Sequence, residues 1–305
     1  MRHSGNPTSR PETAGSPEGP AAGPPPALTI GPYRVTFISG GRFRLDGGAM
    51  FGVVPRTLWS RSAPPDDRNR IQMAMRCLLI EGGGRRVLVD AGSGTKDDPK
   101  FRDIYAIEGS DTLMRELEAA GAPAASIDTV ALTHLHFDHC GGGTVRDVGG
   151  RVAPAFPNAR YYARRREWED AHQANERNRA SYLSDNYDPL LASGQLEIHD
   201  GDREILPGIV MRVLPGHTAG HQGVFFDIPG ERALYPADLV PTVAHLGLPY
   251  IMAYDLYPMT TLETKRSILR DATREKWLLL FEHDPTHRAI RVSGSEAKVS
   301  FEKVA

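Results

Sequence analysis

Cysteine is almost missing from this chain: Cys77 and Cys140 are its only two among 305 residues, and they form no C-x-x-C spacing. A disulfide framework is therefore not expected, and a reducing cytoplasm is the simplest compartment. No apolar run is long enough to span a bilayer, and the N-terminus lacks the apolar core of a signal peptide, so no membrane partner is expected. Charge of one sign is lacking too, with 36 Lys and Arg against 38 Asp and Glu and a net charge of −2. That balance gives no electrostatic case for nucleic acid. The densest basic run, Arg164-Arg165-Arg166, leads into Glu167-Trp168-Glu169-Asp170 and reads as a solvated helix start rather than a phosphate site. Neither a Gly-rich phosphate loop nor a Ser-His-Asp triad is evident. Residues 1–27 hold hardly any large apolar side chain and are rich in Pro, Gly, Ser and Ala. Such a segment cannot bury enough surface to fold and reads as a disordered leader before a single domain over 28–305.

What is present after residue 28 is a series of short apolar runs punctuated by glycine and proline, in a chain 40% hydrophobic. Tyr33–Ser39 and Met75–Ile80 read as strands, and the turn at Gly82-Gly83-Gly84 returns the chain into Arg86–Asp90. Leu113, Met114 and Leu117 have helical spacing, with Ser110 or Asp111 as cap and Gly121 as stop. Strands follow at Thr129–Thr133, Tyr161-Tyr162, Ile209–Leu214, Val224–Ile228, Ala233–Tyr235 and Trp277–Phe281. A polar helical region is expected around 166–180. Thr260-x-x-Glu263 reads as a capping box opening a helix that runs to about Lys276. Alternating strands and helices with short connections favour an α/β sandwich.

The densest chemistry lies in Thr133-His134-Leu135-His136-Phe137-Asp138-His139-Cys140-Gly141-Gly142, with three imidazoles and a carboxylate in six residues. Neutral imidazole and carboxylate are preferred ligands for a transition metal. Imidazoles buried without partners would each carry a desolvation cost, so the cluster points to something that binds them. The H-x-H-x-D-H spacing suits two ions: His134 and His136 converge on one, and Asp138 and His139 turn toward another. The glycines that follow are expected to let the backbone bend behind the ligands, with Cys140 a small buried residue beside them. Further strand ends deliver Asp90, His217, Asp238 and His283, and ligands from several strand ends can meet at one sheet edge.

In these residues the chain resembles the metallo-β-lactamase-fold hydrolases. The matching positions are Asp90 in Leu-Val-Asp-Ala-Gly, the loop 134–139, His217 in Pro-Gly-His-Thr, Asp238 in Pro-Ala-Asp-Leu and His283 in Phe-Glu-His-Asp. The resemblance implies an αββα sandwich with its metal site at one edge of the two sheets. It implies His134, His136 and His217 on a first metal and Asp138, His139 and His283 on a second, with Asp238 bridging. Asp90 would orient the ligand loop. Two divalent cations are expected as cofactors, zinc first, with manganese, iron or cobalt compatible. They would lower the pKa of a bridging water from ~16 to near neutrality, making a hydroxide nucleophile, with Asp138 and Asp238 as catalytic carboxylates.

Departures within the family narrow the expectation. His139, and Asp238 in place of a cysteine, argue against the antibiotic-hydrolysing branch. His136, and the absence of a flavin domain, argue against the flavodiiron branch. The quorum-quenching lactonases and methyl parathion-type hydrolases look most similar, through His-Thr-x-Gly-His-Gln and the extended N-terminal region. The expected activity is hydrolysis of a small lactone or ester. Alternatives are a phosphotriester or phosphodiester hydrolase, a glyoxalase II-like thioesterase, or a non-catalytic metal-binding protein of the same fold. The tyrosine that lactonases often carry after the bridging aspartate is replaced here by Leu239, leaving Tyr250, Tyr254 or Tyr257 to supply it. A substrate pocket is expected from Phe51, Trp59, Phe137, His245, Tyr254 and Tyr257, with the apolar stretch 50–59 read as loop-like and as an alternative homodimer contact. His172, His199 and His287 read as surface positions, and His221 as a residue that stabilises its turn.

Overall fold

The computed structural model describes residues 23–295 and 298–305. Most of the expected leader therefore lies outside the described residues, and its last member, Ala27, already opens a strand. No helix among the described residues is long and apolar enough to cross a membrane.

Two seven-stranded sheets face each other. The first runs, in spatial order, Ala27–Ile30, Tyr33–Asp46, Arg70–Gly82, Arg85–Val89, Thr129–Ala131, Arg160–Arg164 and Leu196–His199. The second runs Arg203–Leu206, Ile209–Val213, Gln222–Ile228, Glu231–Tyr235, Leu278–Leu280, Ala289–Ser295 and Lys298–Lys303. Side chains alternate faces along a strand, so a strand buried on both sides must be apolar at successive positions. Leu78 and Ile80 accordingly enter the core between the sheets, whereas Cys77 and Leu79 enter a core on the outer face. In the second sheet Val224 and Phe226 point inward and Phe225 outward. Helix Thr112–Ala119 covers the outer face of the first sheet through Leu113 and Leu117. Helix Pro258–Glu275 covers that of the second through Leu269 and Ala272. The result is four layers, αββα.

Several local expectations are revised. The first long strands run on to Asp46 and start at Arg70, their pairing continuing across a register shift between Ser39 and Arg42. The expected capping box is wrong. The C-terminal helix starts at Pro258, whose fixed φ suits a first turn, which leaves Thr260 inside it. The polar helix stops at His172 instead of near 180. The stretch 50–59 is not a loop but contributes to two short helices, Gly47–Phe51 and Arg56–Trp59.

Lys265 of the C-terminal helix is wholly buried, its Nζ donating to Gly247 O at 2.7 Å and Tyr250 O at 2.8 Å. It thereby ties down the segment that carries Met252. Burial pushes its ammonium down to about 7, while Asp255 opposes the shift. An unfolded lysine titrates near ~10.4, so between these values the unfolded chain binds the extra proton and stability rises with pH. The stability of the wild type relative to Lys265→Met is therefore expected to increase from about pH 7 to about pH 9.5. Chemical denaturation of both proteins across that range measures it; a difference that stays flat contradicts the assignment.

Candidate metal centre

The carboxyl ends of five strands open on one rim. Asp90 follows Val89, His134 lies just past Ala131, His217 past Val213, Asp238 past Tyr235 and His283 past Leu280. In open α/β sheets this end is where ligands bind. Two of the turns are conformationally special: Asp90 and Ala237, which precedes Asp238, both have φ near the left-handed region, at 55° and 45°. Non-glycine residues persist there only when their surroundings enforce it.

His134, His136, His217 and Asp238 form one buried group whose candidate ligand atoms lie within 4.8 Å of one another, and Asp138, His139 and His283 form a second. Asp238 reaches both, its Oδ2 lying 3.0 Å from His217 Nε2 and its Oδ1 3.0 Å from His283 Nε2. The histidine nitrogens on the far side are already occupied. His217 Nδ1 pairs with Asp255 Oδ1 at 2.9 Å, and His283 Nδ1 with Ala74 O at 2.7 Å. Thr133 donates its hydroxyl to Asp90 Oδ2 at 2.8 Å, which leaves its oxygen to accept from His134 Nδ1 at 3.1 Å. Asp90 Oδ1 takes the Thr133 N–H at 2.8 Å, and its Oδ2 lies 3.2 Å from His139 Nδ1. These contacts occupy the Nδ1 atoms of His134, His139, His217 and His283, so that in each neutral imidazole Nε2 is the nitrogen turned toward the centre and free to ligate a cation. His136 differs, its Nδ1 standing 3.0 Å from His217 Nε2.

His134 Nε2 and Asp238 Oδ1 are buried without an aligned hydrogen-bond partner. Unpartnered buried polar atoms are costly, and lone pairs converging on one point are what a cation satisfies. The residues present thus fit divalent metal. The electrostatics agree. Burial and the crowding of imidazoles hold His134 and His136 well below the usual histidine range. At His283 burial is outweighed by Asp238 and Glu282, which push it up to about 9. At Asp238 burial is likewise outweighed, here by His217, His283 and His139, and the carboxyl sits well below its usual range. The centre favours positive charge.

Several residues at this site have no signature in the sequence. Asp255 stands behind His217 with no diagnostic spacing. Glu282 adjoins His283 and brings Oε2 within 2.9 Å of His139 Nδ1, off the line of a good hydrogen bond. Burial pushes its carboxyl up to about 7 against the pull of His139. Arg76 clamps the same strand end through Phe281 O at 2.6 Å and Asp284 O at 2.9 Å. His221, as expected, serves its turn: Nδ1 bonds Leu214 O at 2.9 Å and Nε2 accepts the Asp238 N–H at 3.2 Å. His199, expected at the surface, is buried and bonds Gly201 O. Cys140 is buried with its thiol on Leu135 O. The glycines after the loop have no positive φ. They are required by close approach instead, since a Cβ on Gly141 would lie 2.1 Å from Ser93 O and one on Gly142 2.1 Å from Ala91 O.

A cavity of about 280 Å³ opens over the centre, touching His136, Asp138, His217, Asp238 and His283. Of the expected pocket residues, Phe137 and Tyr254 line it. Phe51, Trp59 and His245 do not: Phe51 is sandwiched between Trp59 and His245, with ring centroids 5.3 and 4.7 Å away, as packing behind the wall. His245 is consumed there by Thr242 Oγ1 and Met50 O. Tyr257 is half-exposed beside Arg166, outside the cavity. Met252, which also offers an apolar side chain from the sequence, lines the cavity, and Phe43 and Tyr105 supply wall that the sequence did not reveal.

A four-layer αββα sandwich with paired histidine–carboxylate groups at its strand ends defines a metallo-hydrolase class. The metallo-beta-lactamase superfamily model matches residues 76–283, and the chain belongs to that superfamily. An N-acyl homoserine lactonase of Bacillus cereus is 28% identical over 170 residues, 52% of this chain and 60% of that protein. The matched region thus spans about three-fifths of the lactonase. A probable metallo-hydrolase of Mycobacterium tuberculosis is 29% identical over 277 residues, covering 78% of this chain and 82% of the relative. Among solved structures, a probable metal-dependent hydrolase from Staphylococcus aureus superposes with a TM-score of 0.83 at 29% identity, covering 91% and 99% of the two chains.

Proposed function

We propose that this chain is a dinuclear metal-dependent hydrolase of a small lactone or ester. The observation that carries the reading is Asp238, one carboxylate whose two oxygens each stand 3.0 Å from a histidine of a different group. His134, His136 and His217 would hold one cation, Asp138, His139 and His283 the other, with Asp238 shared and Asp90 behind the loop. Zinc suits this nitrogen and oxygen set, as do manganese, iron and cobalt. When bound, such ions supply Lewis acidity and bring the pKa of water from ~16 to near neutrality.

The protein's own groups do the rest. Asp138 faces the cavity and is placed to accept a proton from the attacking water and return it to the leaving oxygen. Phe43, Leu45, Met50, Phe137 and Met252 exclude water and offer an apolar bed for an acyl chain. Burial raises the Tyr254 hydroxyl, so it stays protonated and can donate to a substrate carbonyl. The lactonase relative supports a lactone as the preferred ester.

A panel of acyl-homoserine lactones, aryl esters, phosphotriesters and glutathione thioesters tests the proposal. The lactones and esters are expected to give the highest kcat/KM. Preference for the thioester or the phosphotriester would replace the substrate assignment, and no turnover on any member of the panel would overturn it.

A further inference from the structure

Glu167 opens the sequence's most acidic stretch after its basic triplet, where a solvated side chain is expected, yet it is only 1% exposed. It is the third residue of helix Arg165–His172, which contributes none of the candidate ligands. Its Oε1 accepts the Leu135 N–H at 3.1 Å and the Tyr182 hydroxyl at 2.8 Å, and its Oε2 accepts the Thr218 hydroxyl. Burying a carboxylate is expensive unless its oxygens are hydrogen-bonded, and these three donors reach both of them.

The donors come from three separate segments, and each belongs to or touches one histidine of the same group. Leu135 sits between His134 and His136, Thr218 follows His217, and the Tyr182 ring stands edge-on to His136 with centroids 4.7 Å apart. The chain is pressed against this point: a Cβ on Gly220 would come within 2.3 Å of the Glu167 nitrogen.

We propose that Glu167 is a positioning residue that sets the mutual placement of His134, His136 and His217. It ties the two ligand loops to one rigid helix, so that nitrogens from strands in different sheets converge on one point. The proposal rests on the metal-centre reading above. Loss of an outer partner of metal ligands typically weakens metal binding by about 10–100-fold.

The test is Co²⁺ titration of the full chain after chelator stripping, followed by visible absorption and chelator competition, for wild type, Glu167→Ala, Glu167→Gln and Thr218→Val. In Glu167→Ala one of two Co²⁺ equivalents should weaken by about 10–100-fold. Glu167→Gln should recover most of that loss, because its amide oxygen still accepts from Leu135 and Tyr182 while its NH₂ can donate to Thr218. Thr218→Val, which removes a single contact, should show a smaller loss at the same equivalent and decides the matter if Glu167→Ala does not fold. A lowered melting midpoint of the metal-free variants with unchanged Co²⁺ affinity would mean a purely structural role and overturn the proposal. Wild type that binds two Co²⁺ while the variants bind both as tightly defeats this proposal alone. Wild type that binds none defeats the metal centre with it.

Discussion

Asp238→Asn is expected to lower kcat/KM on any hydrolysed substrate by on the order of 10³-fold or more. Asp238 is almost inaccessible and keeps company with four imidazoles, so its charge is the main counterweight to whatever positive charge the centre holds. The amide retains the size and one acceptor oxygen but loses the charge and one of the two oxygens that face separate groups. Charge stabilisation by metal ions contributes several kcal/mol to a transition state, and about 4 kcal/mol corresponds to roughly 10³ in rate. Backbone placement should survive, because the Asp238 N–H is held by His221 and the strand before it, Glu231–Tyr235, ends on buried residues paired within the sheet. The expected signature is therefore a folded protein with lost turnover and lowered metal content. Wild-type kcat/KM in this variant would remove Asp238 from the site.

Stripping the metals is expected to destabilise the folded chain as strongly as it abolishes activity. A ligand that binds only the folded state stabilises it by about 2.7 kcal/mol when present at 100 times its Kd. Two such ions give about 5 kcal/mol, which for a domain of this size shifts Tm by roughly 10–20 °C. The physical source is visible in the geometry. Carboxylates and imidazole nitrogens are packed together with unpartnered atoms at His134 and Asp238, an arrangement held in place by second contacts such as His217–Asp255 and His283–Ala74. Melting curves of chelated and reconstituted protein measure the shift; coincident curves would contradict the prediction.

The parts of this site legible in the sequence were those where ligand chemistry is concentrated in a few residues or stands at the end of an apolar run. The loop 134–139 is dense enough to read alone, and Asp90, Asp238 and His283 each follow a recognisable strand. The layered fold was legible for the same reason, since strands buried on both faces must be apolar at consecutive positions, as in Arg70–Gly82. The supporting carboxylates were not legible. Asp255 and Glu282 act through tertiary contacts with no fixed spacing, and Glu167 looked solvated because a helix start rich in charge usually is. The pocket was half legible. Phe51 and Trp59 belong to an apolar stretch, but Phe51 stacks between Trp59 and His245 behind the wall, whereas Phe43 and Tyr105 reach the cavity from elements whose sequence gives no hint of it. Boundaries failed where local signals competed with packing. Thr260 and Glu263 match a capping pattern, yet Pro258 starts the helix and Thr261 is pressed against Gly216 beside His217.

Two cations sharing Asp238, as proposed, would leave a stoichiometric trace. Elemental analysis of the purified full chain, with metal and protein quantified on the same sample, reads that stoichiometry. The expected ratio is near two divalent transition-metal ions per chain, falling in Asp238→Asn. A ratio below about one tightly held metal per chain after reconstitution would contradict it.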